Sequence, residues 1–566
     1  MDTLTLYPAP QPADGAAPGP RGHALLANRY LNKDAAFSAD EREIYGLRGL
    51  LPPHVLTIDQ QVHLELEHVR RKSDDLERYI GLAALQDRNE TLFHRLLRDH
   101  LEELLPVVYT PVVGRACQEF SHILRRPRGV WLTPPDAPRF AQLLRDGAPT
   151  DDVRLVVVTD NERILGLGDQ GAGGMAIPVG KLAIYTAAAG VHPMAILPVS
   201  LDVGTDNAAL LADPLYLGHA SPRLRGAAYA ELVEVFVEAL ASVFPRAVLQ
   251  WEDFKGANAI TLLARYRHRL ASFNDDIQGT GAVALGGLLA AERLLGVPLA
   301  AQRILLVGAG AAGLGIAGLI RHATGAAGTA MLLVDHEGVL HDGRQLTPEK
   351  APFAAAAGTL PTSCLATGPD VRLDEVISAW RPTVLVGTTG VGGRFDEATI
   401  RALADTTDRP VVLALSNPTS ACEAVPADVL EWTGGRALMA TGSPFPPAPV
   451  DGQDRPIGQA NNAFVFPGLG LGAMVAEARE ITDDMLVTAA RTLAGTVSAE
   501  RLAAGALYPA IHDLPRVARL VALAVVREAR DSGFGRNFHD EEIEPAVDRA
   551  IWLPEYAPLP VPAAAG

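Results

Sequence analysis

One glycine-rich turn limits what this 566-residue chain can fold into more than any other feature. The turn, GAGAAG at 308–313, directly follows the apolar run RILLV and precedes a segment rich in Ala, Leu and Ile. In such a strand–turn–helix unit the first glycine permits a tight turn, the second lets the backbone approach a pyrophosphate, and the third allows close packing of helix on strand. The helix would offer free backbone amides to the phosphates. The residues predicted to line a dinucleotide site are Gly308, Gly310, Ala311, Ala312 and Gly313.

The surroundings of the turn favour a nucleotide site over an ordinary strand-to-helix connection. Strand-like runs start at residues 303, 330, 383 and 411, and each precedes a loop rich in Gly or in Asn and Pro and then a helical segment. This alternation is typical of a doubly wound parallel sheet. Asp335 ends the second run, where an acid can accept hydrogen bonds from an adenosine ribose. We therefore predict a Rossmann-like dinucleotide-binding domain.

The rest of the chain predicts a further domain, because 566 residues exceed what one hydrophobic core usually organises. Apolar residues three and four apart predict helices from about residue 40 to 105, and short apolar runs alternating with helices predict an α/β region from 153 on. A helix is expected over 280–295, and the fold class is α/β. The expected boundaries are a flexible tail at 1–22, an N-terminal domain at 23–277 that is helical to about 130, the dinucleotide-binding domain at 278–535 and a C-terminal extension at 536–566.

Composition excludes several classes of protein. The formal net charge of −17 argues against a nucleic-acid partner, because neutralising phosphates requires a concentrated basic surface. No uninterrupted run of about 18 apolar residues predicts a membrane span, and the first residues lack the pattern of a secretion signal. The chain has too few cysteines for a disulfide framework, and none of them lies in a CxxC pair. Both observations favour a reducing, cytoplasmic location. The cysteines are Cys117, Cys364 and Cys422.

Two pairs of adjacent acids end short apolar segments. Glu252 and Asp253 follow AVLQW, and Asp275 and Asp276 follow ASF. For either pair alone, a solvated loop is a sufficient explanation. Both pairs have apolar or aromatic neighbours, however, and carboxylates that converged there would repel one another unless a cation or a lysine neutralised them. Ligand sets made only of oxygen favour Mg²⁺ or Mn²⁺ over zinc.

Lys181 is one of only five lysines in a chain with 44 arginines, and it lies between apolar neighbours in MAIPVGKLAIY. A buried ammonium needs a carboxylate partner or gives up its proton easily. Arginine could form a structural ion pair but could not act as a base, which is a reason to keep lysine here. The alternative is a lysine whose stem packs while its ammonium reaches solvent.

Nine motifs occur in one order and cover roughly residues 40–535. They are LPVVYTPVVG, VVVTDNERILGLGDQGAGGMAIPVGKL, DVGTDN, QWEDF, FNDDIQGTGAVAL, GAGAAG, LSNPT, ATGSPF and QANNAFVFPG. Together they resemble the malic enzyme family of the large-subunit type. The resemblance implies oxidative decarboxylation of L-malate to pyruvate and CO₂ with reduction of NAD or NADP, through oxaloacetate and enolpyruvate, in a homodimer or homotetramer. A malolactic enzyme, which releases lactate and retains its cofactor, is the nearest alternative, and a non-catalytic malate or nucleotide sensor is a more remote one.

The same resemblance implies roles for single residues. The positions that match metal ligands are Glu252, Asp253 and Asp276. The positions that match the general acid, the general base and the carboxylate paired with that base are Tyr109, Lys181 and Asp275. The positions that match groups holding the substrate carboxylates are Arg163, Asn417 and Asn462, and Asn417 is also expected to approach the cofactor. One departure is Ala460, where the family commonly has Gly before its paired asparagines.

The residues expected near the adenosine ribose give mixed indications about the cofactor. Asp335 matches an acid that users of either cofactor carry, whereas Glu337 would repel the 2′-phosphate of NADP. Lys350 matches the lysine that meets this phosphate in NADP users. One ammonium facing two nearby carboxylates would be partly neutralised, so we expect a preference for NAD with some use of NADP.

The resemblance also bears on regulation. Family members activated by fumarate use two arginines in the N-terminal helical region. Arg88 matches one of them, but the other position is Leu64. A dicarboxylate would lose a charge-assisted, bidentate partner there, so no activation by fumarate is expected.

Overall fold

The computed structural model describes residues 19–325, 328–366, 368, 371–450 and 452–559. Residues 1–18 of the expected tail and residues 560–566 of the C-terminal extension lie outside the described residues. The chain separates into two compact units. The first comprises the described parts of Met1–Val157, Gln170–Pro245 and Glu544–Gly566, and the second those of Val158–Asp169 and Arg246–Ile543.

The first unit begins with a series of helices. Local capping explains where several of them start: in capping boxes, the side chains of Ser38 and Thr57 accept a hydrogen bond from the backbone three residues later, and Glu41 and Gln60 return one. The predicted helical N-terminal region is thereby confirmed. Its helices are Gly22–Leu26, Ala39–Ile44, Ile58–Arg70, Asp75–Arg88, Glu90–Asp99, Leu101–Val108, Val112–Gln118 and Phe120–Ile123.

Strands enter the first unit after these helices. They are β1 (Val130–Leu132), β2 (Leu155–Thr159) and β3 (Ile196–Leu201). β1 and β3 pair in parallel, and β2, buried at all five positions, crosses from the first unit into the second. β3 is likewise buried at every position, and burial on both faces explains why β2 and β3 are mostly apolar rather than alternating. The accompanying helices are Phe140–Gly147, Ala176–Ala189, Ala208–Ala212 and Gly226–Val243, and Asp540–Ala550 returns the chain to this unit.

The second unit contains a seven-stranded sheet. Its strands are β6 (Arg303–Val307), β7 (Ala330–Asp335), β8 (Gly338–Val339), β9 (Val384–Gly387), β10 (Val411–Ala414), β11 (Leu438–Thr441) and β14 (Gly458–Gln459). Their order is β14-β11-β10-β9-β6-β7-β8, and only the pair β7 and β8 is antiparallel. The order in which the chain adds strands to the sheet reverses between β6 and β9. In a doubly wound sheet, ligands bind at the carboxyl ends of the strands at such a switch point. The predicted Rossmann-like domain is confirmed.

Among the described residues, four further strands and ten α-helices lie wholly within the second unit. The strands are β4 (Val248–Trp251) and β5 (Ser272–Asn274), which pair in parallel, and β12 (Ala448–Val450) and β13 (Gln453–Arg455), which form an antiparallel hairpin. The helices are Gly256–Tyr266, Thr280–Leu295, Ala311–Thr324, Leu373–Trp380, Glu397–Ala404, Pro426–Trp432, Phe466–Val475, Asp483–Thr496, Ala499–Ala503 and Leu514–Asp531. Among the described residues, no helix combines the length and apolarity needed to cross a membrane.

Two histidines of the first unit lie beside its C-terminal segment. His94 is 0% exposed, and its ring centroid lies 6.0 Å from the ring of Trp552. The ring of His192 lies 5.3 Å from the same tryptophan. Burial lowers the pKa of both imidazoles to about 4, although the carboxylate of Glu90 opposes the shift. Both side chains are therefore neutral near pH 7.

We expect these histidines to make the folded protein less stable as the pH falls from about 6.5 to about 4. In this range the unfolded chain binds protons that the folded chain does not, so the free energy of unfolding falls by about 1.4 kcal/mol per pH unit for each imidazole. Replacing His94 by Leu should make the thermal midpoint depend less on pH. The same replacement at His63, whose side chain is 76% exposed, should not, and equal slopes for both variants would contradict the expectation.

Candidate active site

Three carboxylates come together in the second unit. Glu252 and Asp253 directly follow β4, and Asp276 lies two residues beyond β5. Because β4 and β5 pair in parallel, their carboxyl ends meet at the same edge. One oxygen from each side chain lies within 4.8 Å of the others, and Glu252 and Asp253 are only 3% and 6% exposed. Buried anions at such distances repel one another unless a cation is bound between them.

The donor set fits a hard divalent cation. Oxygen ligands lie about 2.0–2.6 Å from Mg²⁺ or Ca²⁺, so ligands on opposite sides of one ion are about 4–5 Å apart. The backbone also orients the carboxylates: Asp253 has a left-handed φ of +55°, and its N–H donates to Asp276 Oδ2 over 2.8 Å. Gln250 donates from Nε2 to Glu252 Oε2 over 2.7 Å. Arg163 is exposed, and its backbone N–H donates to the carbonyl of Asp253 over 3.2 Å.

Asp275 begins a single π-helical turn, Asp275–Gly279, that leads into the helix Thr280–Leu295. Its side chain is fully buried, and its Oδ2 accepts a hydrogen bond of 3.0 Å from Nδ2 of Asn462. A Cβ on Gly279 would lie 1.9 Å from Asp275 Oδ1, so only glycine fits there. Isolated π-turns often occur at functional sites. The structure thus brings together two predicted site residues that are 187 positions apart.

Asn417 follows β10 at the carboxyl edge of the seven-stranded sheet. Its Oδ1 accepts a hydrogen bond of 2.5 Å from the hydroxyl of Ser443, which fixes the orientation of its amide. A Cβ on Gly442 would lie 3.1 Å from Asn417 Nδ2, and one on Gly166 would lie 3.3 Å from the Asn417 carbonyl. Small residues on two loops therefore leave room for this asparagine.

Lys181 and Tyr109 lie together in the first unit. Lys181 is 1% exposed, within the helix Ala176–Ala189, and its Nζ lies 5.1 Å from the centroid of the Tyr109 ring. A Cβ on Gly180 would lie 2.7 Å from the carbonyl of Val108, so glycine at this position lets the helix approach Tyr109. With 1% exposure, the ammonium does not extend into solvent, and that alternative for Lys181 is wrong.

The three glycines of the 308–313 turn differ in the space that surrounds them. Gly308 has a φ of +113°, and a Cβ there would lie 2.5 Å from the carbonyl of Thr388. A Cβ on Gly313 would lie 2.1 Å from the Gly308 carbonyl, whereas one on Gly310 would meet open space. Backbone close to a ligand requires such open space. The helix Ala311–Thr324 then begins at the turn.

The acid at the end of β7 has two cationic partners, and sequence reasoning identified only one of them. Lys350 Nζ lies 2.7 Å from Asp335 Oδ2, and the guanidinium of Arg344 joins Asp335 Oδ1 (2.9 Å) to Glu337 Oε2 (2.8 Å). Burial works against ionisation, but hydrogen bonds from Lys350, from the Glu337 backbone and from Arg344 hold the pKa of Asp335 below its usual value. Arg344 was missed because no motif marks it. It pairs with Glu337, so Lys350 contacts one carboxylate rather than the expected two.

Comparison with known proteins identifies the family. A family model described as "Malic enzyme, N-terminal domain" matches residues 86–267, and one described as "Malic enzyme, NAD binding domain" matches residues 277–530. The chain belongs to the malic enzyme family. This malic enzyme family member is 45% identical over 550 residues to a protein of Pseudomonas aeruginosa (strain UCBPP-PA14) named NAD-dependent malic enzyme, with 94% of this chain and 96% of the relative covered. It is 44% identical over 549 residues to NAD-dependent malic enzyme 3 of Bacillus subtilis (strain 168), with 95% and 97% covered.

Solved structures of malic enzymes have the same fold. The crystal structure of the malic enzyme of Entamoeba histolytica matches with a TM-score of 0.56 at 19% identity, over 90% of this chain and 91% of that one. The malic enzyme of Pyrococcus horikoshii OT3 matches with a TM-score of 0.52 at 24% identity, over 80% and 89%. These likenesses concern the fold, and they confirm the predicted α/β class.

Proposed function

We propose that this malic enzyme family member converts L-malate to pyruvate and CO₂ while reducing NAD. The observation that carries the proposal is the convergence of Glu252, Asp253 and Asp276 in the unit that also holds the dinucleotide-type sheet. Relatives similar over nearly the whole chain are named NAD-dependent malic enzymes, which supports both the reaction and the cofactor.

The same three carboxylates are the proposed ligands of one Mg²⁺ or Mn²⁺ ion. When bound, such an ion supplies Lewis acidity that stabilises the enolate charge developing as CO₂ leaves. Arg163, Asn417 and Asn462 are the proposed partners of the substrate carboxylates, in keeping with their match to the family motifs. Charged and amide donors are suited to hold a dicarboxylate in one orientation.

Proton transfers are assigned to side chains of the chain itself. Lys181 takes the hydroxyl proton of malate as hydride leaves C2, so the lysine must be uncharged in the reactive state. Asp275 is the proposed carboxylate partner of this lysine. After decarboxylation, Tyr109 protonates C3 of enolpyruvate, and Lys181 can return a proton to the tyrosine. The proximity of Lys181 and Tyr109 supports this exchange.

We also infer the organisation of the protein. The proposed domains are 23–277 and 278–535, flanked by a tail at 1–22 and an extension at 536–566, and the break between the two family-model matches supports the main boundary. A homodimer or homotetramer in the cytoplasm is proposed, without nucleic-acid or membrane partners. The three cysteines are buried and form no disulfide bond, which suits a reducing compartment. Light scattering coupled to size-exclusion chromatography measures the oligomeric state.

Steady-state kinetics with malate, Mn²⁺ and NAD, assaying pyruvate and lactate together, tests the proposed reaction. Pyruvate and free NADH should rise in equal amounts. Lactate without free NADH would establish the malolactic alternative instead. A protein that binds malate or NAD without any turnover would be the sensor.

Replacing Lys350 by Gln should lower kcat/KM for NADP and leave that for NAD nearly unchanged. In the structure the ammonium of Lys350 is held by Asp335, and Arg344 is shared between Asp335 and Glu337, so little positive charge is left for a 2′-phosphate. We therefore expect NAD to be preferred by the wild-type protein. A wild-type kcat/KM for NADP more than about tenfold above that for NAD would overturn this preference.

A further inference from the structure

A buried carboxylate outside the predicted site joins two loops of the seven-stranded sheet. Glu423 is 0% exposed and lies shortly before the helix Pro426–Trp432. Its Oε1 accepts hydrogen bonds from the Thr389 N–H (2.7 Å), the Thr389 hydroxyl (3.0 Å) and the Ser416 hydroxyl (2.5 Å). Its Oε2 accepts from the Ser416 N–H (3.2 Å). These four neutral donors match the acceptor capacity of an ionised carboxylate.

Each of the two loops is linked to a part of the proposed site. The first is hydrogen-bonded to the dinucleotide turn, and the second carries a proposed substrate-binding residue. Thr388, at the start of the first loop, donates from its hydroxyl to the carbonyl of Gly308 over 2.8 Å. Ser416, in the second loop, directly precedes Asn417. The loops are also bonded to each other, because the N–H of Gly390 donates to the Ser416 hydroxyl oxygen over 2.8 Å. Hydrogen bonds and short covalent chain segments thus link the glycine-rich turn to the segment that carries the asparagine.

The end of β9 provides the space for this carboxylate. A Cβ on Gly387 would lie 2.7 Å from both Cγ and Cδ of Glu423, closer than real contacts allow. Gly387 pairs with Val307 of β6 on one side and with Ala414 of β10 on the other. Glu423 therefore lies at the carboxyl end of the strands that flank the switch point, where open α/β sheets bind their ligands.

We propose that Glu423 is a positioning residue for cofactor and substrate. It holds loops 388–390 and 415–417 in one arrangement, so the turn at 308–313 and Asn417 are ordered before either ligand binds. Ordering in advance strengthens binding because the free energy of fixing the loops is not taken from the binding step. The inference goes beyond the proposed function and rests on it only for the identity of the ligands, NAD and malate.

Glu423→Gln tests the proposal with little change in volume. An amide NH₂ at the Oε2 position would face the N–H of Ser416, which then has no acceptor, while the remaining oxygen keeps the other three bonds. We expect the Kd for NADH, measured by the fluorescence of the bound nucleotide, to rise about tenfold, and kcat/KM for malate at saturating NAD to fall about tenfold.

Thr383→Val is the matched control at the opposite end of the same strand. The Thr383 hydroxyl donates to Gln302 Oε1 over 2.6 Å and accepts from the N–H of Arg303 over 3.0 Å. Its loss should lower the thermal midpoint but leave the NADH Kd and the malate kcat/KM unchanged. If Glu423→Gln does not fold, Ser416→Ala removes one donor of the same network and should weaken NADH binding several-fold.

The possible results distinguish a positioning role of Glu423 from a purely stabilising one, and both from a failure of the proposed reaction. A Glu423→Gln or Ser416→Ala protein that melts earlier, yet binds NADH and uses malate within about twofold of wild type, overturns the positioning role. Wild-type turnover with malate, NAD and Mn²⁺ is measured in parallel. If the wild type has no turnover, the proposed function fails, while the change in NADH affinity still decides the role of Glu423.

Discussion

Replacing Lys181 by Arg should lower turnover with malate by at least about 100-fold, the lower end of what general acid–base catalysis contributes. Arginine keeps the positive charge and most of the length of the side chain, but a guanidinium does not give up a proton at ordinary pH. Lys181 is 1% exposed and lies against the ring of Tyr109, so water does not readily replace its function. The loss should therefore concern the proton transfer rather than the binding of NAD.

Lys72→Arg is the matched control within the same unit. Lys72 donates to the carbonyl of His68 over 3.1 Å in an exposed setting, and its replacement should leave turnover unchanged. Thermal midpoints and NADH affinity of both variants show whether each is folded. A folded Lys181→Arg protein with turnover close to that of wild type would exclude this lysine as the general base.

Much of the fold could be predicted because its signals are local. The helix Thr280–Leu295 has the predicted bounds, and Gly296, in the left-handed conformation with a φ of +67°, explains why it ends there. The four strand-like runs of the dinucleotide domain are strands of the seven-stranded sheet. Three strands of this sheet, β8, β11 and β14, were not predicted. β8 and β14 have only two residues each, so they have no periodicity to detect.

The same distinction between local and non-local signals applies to the candidate site. The acid pairs were found because each adjoins an apolar strand, and the structure brings three of the four carboxylates within 4.8 Å. Arg344 and Glu423 were not found, because their significance depends on contacts that no local pattern records. Glu423 bonds to Thr389, 34 positions earlier in the chain. The one signal in the sequence is a glutamate among uncharged neighbours. If such a side chain is buried, it must find several hydrogen-bond donors.

Replacing Asp276 by Asn should weaken Mn²⁺ binding at least about tenfold, because one of the three proposed anionic ligands becomes neutral. In the structure Asp276 Oδ2 accepts the N–H of Asp253 over 2.8 Å. If the asparagine oxygen keeps this bond, its NH₂ group takes the place of the other carboxylate oxygen and presents donors to the cation. Less repulsion among the remaining carboxylates should also make the apo protein no less stable than wild type.

Titration of the protein with Mn²⁺, following the electron paramagnetic resonance signal of the free ion, measures this affinity without any turnover. Asp484→Asn is the matched control in the same unit, since the side chain of Asp484 is 63% exposed and pairs only with His322 among the described residues. The control should titrate like wild type, and NADH affinity should be nearly the same in all three proteins. If the three carboxylates bind one ion, as proposed, loss of one charge must appear in the titration; overlapping curves for wild type and Asp276→Asn would show that Asp276 is not a ligand.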